Sequence, residues 1–562
     1  VNGGAFSAAS RAREWERLTS ERWDALVIGG GATGCGIARE LAARGVRTAL
    51  VEAGDWGGGA SGRSSRLIHG GLRYLQTGDF ALVFEALAER RRLLELAPHL
   101  VHPLRFLFPV YAGGPVGLRK LQAGMWLYDL LSLFRGIARH RMLRPAGCLE
   151  VEPGLARDGL RGAALYFDAA VDDVRLTLAA ARAAWLAGAA MVPRAEVVRF
   201  RSAGRRLEGV AVHDRLRGRD AEVHARLVIN ATGPWSDALR RLADPDVRPR
   251  LRPTKGVHVM LRRERIGSRG ALIFASPLDG RVMFVLPWRD RVYVGTTDTD
   301  YDGAPGEAVA EAADVDYLLG SANGLFPEAR LTPADVVSTW AGVRPLLAAE
   351  RDPQLAAGAT SREHEVWRDR SGLLNIAGGK LTTYRVMAVE AADAAAELLR
   401  LDGVVVETAP APAPLPGAPP LPWDVFASAF AERAAGVGLD DEVADHLARA
   451  YGTDAEAILR RIADDAALGA RLLPDLPYVR AEVPHAVEEE MALTLEDVLA
   501  RRLHLFHEAA DGGMSVARTV AGQMAPLPGI GWEEDRIEVE VAAYAAAVAR
   551  SRSVVGPADS AT

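Results

Sequence analysis

Asp24-Ala25-Leu26-Val27-Ile28-Gly29-Gly30-Gly31-Ala32-Thr33-Gly34-Cys35-Gly36 begins a unit that runs to Glu52. Ala25 to Ile28 read as an apolar strand, and Gly29, Gly31 and Gly34 come next at G-x-G-x-x-G spacing, with Gly36 close behind. A helical pattern succeeds them, with Ile37 and Leu41 on one face and Gly45 as its stop. Val46 to Val51 then read as a second strand that ends on Glu52. Each residue type has a physical job. Gly29 permits a tight turn, Gly31 lets backbone N–H groups approach a pyrophosphate, and Gly34 lets helix and strand pack closely. The helix N-terminus faces the anion, and the acid accepts hydrogen bonds from a ribose. Strand, glycine loop, helix and acid fall in the order that dinucleotide binding requires.

At 562 residues the chain exceeds one core and predicts two or three domains. Its 49% hydrophobic and 25% charged residues fit a globular protein, and a net charge of -6 argues against a nucleic-acid partner. Two cysteines, Cys35 and Cys148, suggest no disulfide framework and point to a reducing cytoplasm. No apolar run is long enough to span a bilayer, so membrane contact would be peripheral, on the inner face of the cytoplasmic membrane. Residues 1–22 are charged, lack the apolar core of a secretory signal and read as a flexible extension. Of the 67 basic residues only Lys120, Lys255 and Lys380 are lysine, which leaves 64 arginines (67 minus 3). That bias makes each lysine worth inspection.

Residues 23–407 read as a dinucleotide-binding domain interleaved with a substrate domain. A helix is expected from Phe80 to Leu96 capped by Asp79, a second from Leu118 to Arg139, and a third capped at Asp172 or Asp173 and reaching Leu186. Strand patterns occupy 196–212, 222–229, 257–261, 272–275, 282–286 and 292–296, the last four as an antiparallel set. Leu373 to Ala377 is a further strand, leading through Gly378-Gly379-Lys380 into a helix over 383–399. Seven prolines between Pro410 and Pro422 mark a stiff linker, residues 408–423. Residues 424–550 are helical in pattern, with a capping box from Thr494 to Asp497. Residues 551–562 read as a disordered tail.

Six motifs carry a family resemblance. They are Ser64-Ser65-Arg66-Leu67-Ile68-His69-Gly70-Gly71-Leu72-Arg73-Tyr74-Leu75, Asn230-Ala231-Thr232-Gly233-Pro234-Trp235, Lys255-Gly256-Val257-His258, Gly295-Thr296-Thr297-Asp298, Thr339-Trp340-Ala341-Gly342-Val343-Arg344-Pro345-Leu346 and Gly378-Gly379-Lys380-Leu381-Thr382-Thr383-Tyr384-Arg385. Together they resemble the FAD-dependent glycerol-3-phosphate dehydrogenases. The likeness is close over residues 24–400 and looser in the C-terminal helices. It implies an α/β fold, with a Rossmann-like FAD-binding domain interleaved with an antiparallel-β substrate domain, and a C-terminal all-α cap. It implies oxidation of sn-glycerol 3-phosphate to dihydroxyacetone phosphate by hydride transfer from C2 to FAD, with electrons leaving to a quinone. A homodimer is allowed for, and no metal is expected. The FAD contacts implied are Gly29, Gly31, Ala32, Thr33, Gly34, Glu52, Ala53, Ser64, Ser65, Arg66, Leu67, His69, Gly70, Gly233, Gly379, Lys380, Leu381 and Thr382.

The chemistry assigns roles beside that resemblance. A guanidinium grips a phosphate with two parallel hydrogen bonds, which suits Arg344, with Arg362 as a second clamp by resemblance. Lys380, at a glycine turn into a helix, opposes the helix dipole and so suggests a cation placed to stabilise negative charge. Lys255 is expected to do similar work at the substrate mouth. His258 alternates with Val257 and Val259 on a strand and is the candidate base, with His69 as the alternative. Arg73 and Tyr74 are expected to line the substrate site. An oxidase of the same substrate would carry an added mid-chain segment, and none is evident between Asp298 and Val337. An amine or 2-hydroxy-acid oxidase would clamp a carboxylate, against the Gly-Val-Arg-Pro context. A non-catalytic flavin scaffold would be expected to lose Lys380, His258 or Arg344. The segment from Leu118 to Arg141 mixes Trp126, Leu130, Leu131 and Phe134 with basic residues. It suits either a core helix with basic ends or a helix lying in an anionic interface.

Overall fold

A computed structural model describes residues 4–72, 74–133, 136–204, 206–348 and 363–554. Arg73, Arg362 and residues 555–562 of the expected disordered tail lie outside the described residues. The start of that tail is tied down: Ser551 Oγ donates to Thr339 O, and Arg552 donates to Phe506 O and Ala509 O.

The first departure from expectation is at the N-terminus. Residues 8–20 are not a flexible extension but the helix α1 (Ala8–Ser20), closed by a capping box between Ser7 and Ser10. Trp15 and Leu18 are buried under the first sheet, and Arg11 forms a buried two-pronged pair with Asp214, each arm 2.9 Å. Fully burying one such leucine stabilises by roughly 1.5–3 kcal/mol, enough to hold the helix down. Charge in the sequence had masked this buried stripe.

The glycine-loop unit folds as its pattern predicts. β1 (Arg22–Ile28) lies between β2 (Thr48–Glu52) and the strand Arg219–Asn230, parallel to both. Its side chains alternate between two cores. Ala25 and Val27 join Cys35, Ile37 and Leu41 of α2 (Ala32–Ala43), while Leu26 and Ile28 join Val210, Val212 and Val223. Such burial on both faces explains why the strand reads as a continuous apolar run. Across the sheet the order is His364–Arg368, Leu374–Gly378, Arg219–Asn230, β1, β2, Ala190–Pro193, with the hairpin Ala195–Ala203 and Arg206–Asp214 attached to Arg219–Asn230.

The second sheet carries the expected antiparallel set. Leu251–Arg262 pairs with Arg291–Gly295 on one side and with Val336–Leu347 on the other. It extends through Val282–Trp288 and Ala271–Ala275 to two long strands, Val101–Tyr111 and Leu160–Val171, that pattern reading missed. Phe80–Leu96 and Asp173–Leu186 are helices capped by Asp79 and Asp172 as expected. The second expected helix is shorter than its apolar pattern. It spans Leu118–Leu131, and Leu133 already has φ +54°.

The proline-rich segment is pinned to its neighbours rather than free. Leu415 N–H donates to Leu96 O at 2.9 Å with the side chain buried, and Arg39 reaches Ala413 O. Beyond it, helices from Trp423–Gly436 to Glu534–Ser551 form the C-terminal cap. The capping box appears as expected. Thr494 Oγ1 accepts from Asp497 N–H, and Asp497 Oδ2 accepts from Thr494 N–H. The chain then makes a wide π turn, Asp497–Arg502, that brings Arg501 and Arg502 onto Asp55.

Candidate functional site

A cavity of about 1080 Å³ runs between the two sheets, from the Gly29 loop to the turn at Lys380. This is slightly above the ~300–1,000 Å³ of ordinary ligand pockets, room for a dinucleotide and a small substrate together. At one end stands the glycine loop. Gly29 has φ +114°, and a methyl there would lie 2.6 Å from Ala231 O. A side chain at Gly34 would overlap the Gly29 carbonyl, so only glycine brings the α2 N-terminus this close. Glu52 accepts from Gly30 N–H at 2.6 Å and from Gly54 N–H at 2.7 Å. Burial raises its pKa, and those two backbone N–H groups oppose the shift. The carboxylate is thereby fixed at the end of β2 with lone pairs left for hydroxyl groups of a ligand.

The other end is built from strands. Gly378 (φ +84°) and Gly379 (φ +76°) turn Leu374–Gly378 into the helix Tyr384–Leu401, and this left-handed pair is where the chain needs glycine. Lys380 comes next, its Nζ 3.6 Å from the centre of the Tyr74 ring. Arg344 rises from Val336–Leu347. Nη1 donates to Asp298 Oδ1 at 3.0 Å, and Nη2 donates to Thr296 Oγ1 at 3.0 Å and Thr297 O at 3.1 Å. A side chain at Gly256, on the neighbouring strand, would overlap that guanidinium.

His258 faces the cavity as alternation predicted. Its ring stacks on Trp340, with centroids 4.8 Å apart and planes at 12°, and its Nε2 lies 2.8 Å from Ser65 Oγ. Gly295 sits directly across the strand pair, where any side chain would overlap the imidazole. Burial first, then Arg344 and Arg66, push the His258 pKa down to about 3. The ring is neutral at physiological pH and able to accept a proton.

Most of the expected residues meet in this one cavity: Gly29, Gly31, Ala32, Thr33, Glu52, Ala53, Ser64, Ser65, Leu67, His69, Tyr74, Gly233, His258, Arg344, Gly379, Lys380 and Leu381. Four others act from behind the wall. Gly34 shapes the loop, Gly70 N–H donates to Tyr128 Oη at 3.0 Å, and Thr382 Oγ1 accepts from His69 N–H at 3.2 Å. Arg66 is buried, with its guanidinium carbon 4.1 Å from the centre of the Trp288 ring. Lys255 is a correction. It points to the opposite face of its strand from Gly256 and His258, and its Nζ pairs with Asp314 at 2.9 Å and Glu311 at 3.2 Å. The period of two that puts His258 in the cavity takes Lys255 out of it. Arg73 and Arg362 lie outside the described residues.

Sequence reading missed several residues of the site. Asp298 and Thr296 on the wall orient Arg344, and Trp340 behind it carries His258, although all three stood in the six motifs. Arg63 gave no local signal. Glu496 and Arg501 arrive from the cap, a contact without a local sequence pattern.

The residues fit FAD: a glycine cradle at a helix N-terminus, an acid at the end of β2, and a cavity long enough to continue to Lys380. Residues 24–385 match the family described as FAD dependent oxidoreductase, and residues 411–537 match the C-terminal domain of alpha-glycerophosphate oxidase. Glycerol-3-phosphate dehydrogenase 2 of Mycobacterium tuberculosis is 41% identical over 552 residues, covering 97% of this chain and 91% of that protein. This chain belongs to the FAD-dependent glycerol-3-phosphate dehydrogenases. The aerobic glycerol-3-phosphate dehydrogenase of Staphylococcus haemolyticus is 36% identical over 507 residues, 89% of each chain. The crystal structure of the glycerol-3-phosphate dehydrogenase of Bacillus halodurans complexed with FAD superposes with a TM-score of 0.81. It is 30% identical and covers 99% of this chain and 100% of that one. Membership in the glycerol-3-phosphate dehydrogenases thus extends over the cap as well as the two-sheet body.

Buried neutral histidines also set an acid limit on the fold. His258, His99 and His485 are each at most 2% exposed, and burial is the first cause that takes each pKa from 6.5 down to about 3. Below 6.5 the unfolded chain gains protons that the folded chain refuses. Folding stability therefore falls with pH, by roughly 1 kcal/mol per pH unit for each histidine. Thermal melts should drop steadily from pH 6.5 to about 5, above the ordinary carboxylate range, with buried carboxylates whose pKa is raised, Glu52 among them, opposing part of the drop. A melting temperature flat over that window would contradict the assignment.

Proposed function

We propose that this protein oxidises sn-glycerol 3-phosphate to dihydroxyacetone phosphate and passes the electrons to a quinone. The observation that carries the reading is that His258, Arg344 and Lys380 line one and the same cofactor-sized cavity. Bound FAD supplies the acceptor for the hydrogen and two electrons that leave carbon 2. Arg344, aligned by Asp298 and Thr296, holds the phosphate at a distance from the reacting carbon and so orients it. His258 accepts the hydroxyl proton at Nε2, the nitrogen turned toward Ser65 and the cavity. Lys380 stabilises negative charge on the substrate oxygen. Turnover with sn-glycerol 3-phosphate and a soluble dye, compared with oxygen alone, tests this. Dye-dependent turnover is expected, and equal rates with oxygen would favour an oxidase.

The quinone reading rests on apolar surface. Phe106, Ile273 and Phe284 form a cavity wall that glycerol phosphate cannot use, and Leu121, Met125 and Tyr128 pack into the same cluster. Those three lie on the helix Leu118–Leu131, whose other face exposes Trp126 (52%) and Leu130 (53%). Phe80 and Phe84 are exposed on the neighbouring helix, and Arg119 and Lys120 are exposed beside them. Of the two readings of this segment, the interfacial one accounts for that outer face. Apolar side chains enter the lipid surface while basic ones stay at the headgroups. Among the described residues no helix is long and apolar enough to cross a membrane. The protein is expected to float with anionic liposomes at low salt, and Arg119→Glu with Lys120→Glu should abolish flotation without loss of flavin. Protein that stays at the bottom at low salt, yet turns over a soluble dye, would contradict the docking.

A further inference from the structure

Among the described residues six arginines line the cavity, and five have their charge answered. Arg194 pairs with Asp497, Arg215 with Glu196, Arg344 with Asp298, and Arg501 with Asp55, Glu496 and Asp497. Arg281 donates to Asp298 O and lies near Asp279. The sixth is Arg63. Among the described residues its guanidinium has no hydrogen-bond or ion-pair partner. Arg63 is partly buried, a guanidinium drawn from water without an anion loses solvation, and Arg501 adds repulsion. Burial and then Arg501 lower the pKa of Arg63, the mark of a cation that its surroundings disfavour. A charge held at a cost in a cleft is a candidate binding group.

The placement identifies the anion. Arg63 is two residues from Ser61, whose Oγ accepts from Ala32 N–H at the α2 N-terminus at 3.0 Å. A methyl at Gly31 would lie 3.0 Å from that same Oγ, so Ser61 forms the lip of the glycine cradle. The charged groups that act on Arg63 are Arg501 and Glu496 of the cap. Those that act on His258 are Arg344 and Arg66, at the substrate end. Arg63 thus stands where the glycine cradle meets the Gly342 strand: a Cβ at Gly342 would lie 2.7 Å from Arg63 O, while the charges that act on its guanidinium are those of the cap.

We infer that Arg63 is an anchor for the diphosphate of the dinucleotide cofactor, with the cap residues Glu496 and Arg501 bracketing it. The α2 N-terminus supplies partial positive charge to that diphosphate, and Arg63 supplies a full charge and a two-pronged donor. The cap is then part of the cofactor site, because Glu496 and Arg501 line the same cavity and are the charged groups that act on Arg63. This goes beyond the substrate reading above and does not depend on it, since its readout is cofactor retention.

The test compares purified holoenzyme with Arg63→Gln and Arg63→Ala. FAD release on dilution, followed by flavin fluorescence, gives the dissociation constant. The thermal melt of each flavin-stripped protein and the KM for glycerol 3-phosphate complete the set. An anchor predicts FAD dissociation constants raised ten-fold or more, with KM changed less than two-fold. It also predicts flavin-stripped variants that melt no lower than the parent, because an unanswered charge has been removed. A structural role would instead lower those melts together with cofactor affinity, and that result would overturn the inference. FAD affinity within two-fold of the parent would overturn it too. So would a raised KM at unchanged FAD affinity, which would give Arg63 to the substrate phosphate.

Discussion

Replacing His258 by asparagine is expected to lower kcat for glycerol 3-phosphate oxidation by ~10²–10⁴-fold, the usual worth of a positioned general base. Flavin content should stay the same, because His258 sits at the substrate end of the cleft. The imidazole is fixed on three sides, by Trp340 stacked against it, Ser65 at Nε2 and Gly295 across the strand pair. Its Nδ1 is buried and has no hydrogen-bond partner among the described residues. Burial, Arg344 and Arg66 hold its pKa at about 3, so it does not protonate as pH falls through the ordinary histidine range. The acid limb of kcat/KM, which reports the free enzyme, should therefore lie well below 6.5. A variant that keeps kcat within about three-fold of the parent, far less than a base contributes, would pass the role to another cavity group. His69 and Lys380 would be next to test.

Arg344→Lys is the second large effect. Lysine keeps the positive charge but loses the planar fork that Asp298 and Thr296 align. Each charge-assisted hydrogen bond lost is worth ~1.5–3 kcal/mol, so kcat/KM should fall roughly 10–100-fold or more. Most of the loss should appear in KM. Glycerol itself should be a very poor substrate for the parent enzyme, because binding energy at the phosphate orients the distant carbon. Comparable kcat/KM for glycerol and its phosphate would remove the reason for placing Arg344 where it is.

The glycine unit was legible because its signals are local: spacing, a helix pattern and an acid at the end of a strand. The same is true of the helix caps at Asp79 and Asp172, where one side chain meets a backbone N–H three residues on. His258 was legible through alternation, and the same alternation should have removed Lys255. Lysine is rare in this arginine-rich chain, but Lys255 lies out of phase with His258 on the same strand and so faces away from the cavity. α1 was missed because Arg11 and Glu14 are charged yet buried, each answered by a partner far along the chain or across the helix. Pattern reading counts such residues as surface. Leu160–Val171 was missed because its alanines and glycine lack the β-branched residues that mark a strand, and the pairing that forms it comes from Val101–Tyr111. The cap's share in the cleft could not be read at all. Arg501 and Asp55 are 446 residues apart, and only the folded chain brings them to 2.8 Å.

Anaerobic mixing of the purified protein with sn-glycerol 3-phosphate tests the central claim most directly, because it needs no external acceptor. The account predicts loss of the oxidised flavin's visible absorbance, one dihydroxyacetone phosphate formed per flavin, and no loss with glycerol. A flavin that stays oxidised with glycerol 3-phosphate, yet is reduced by an amino acid or a 2-hydroxy acid, would contradict it.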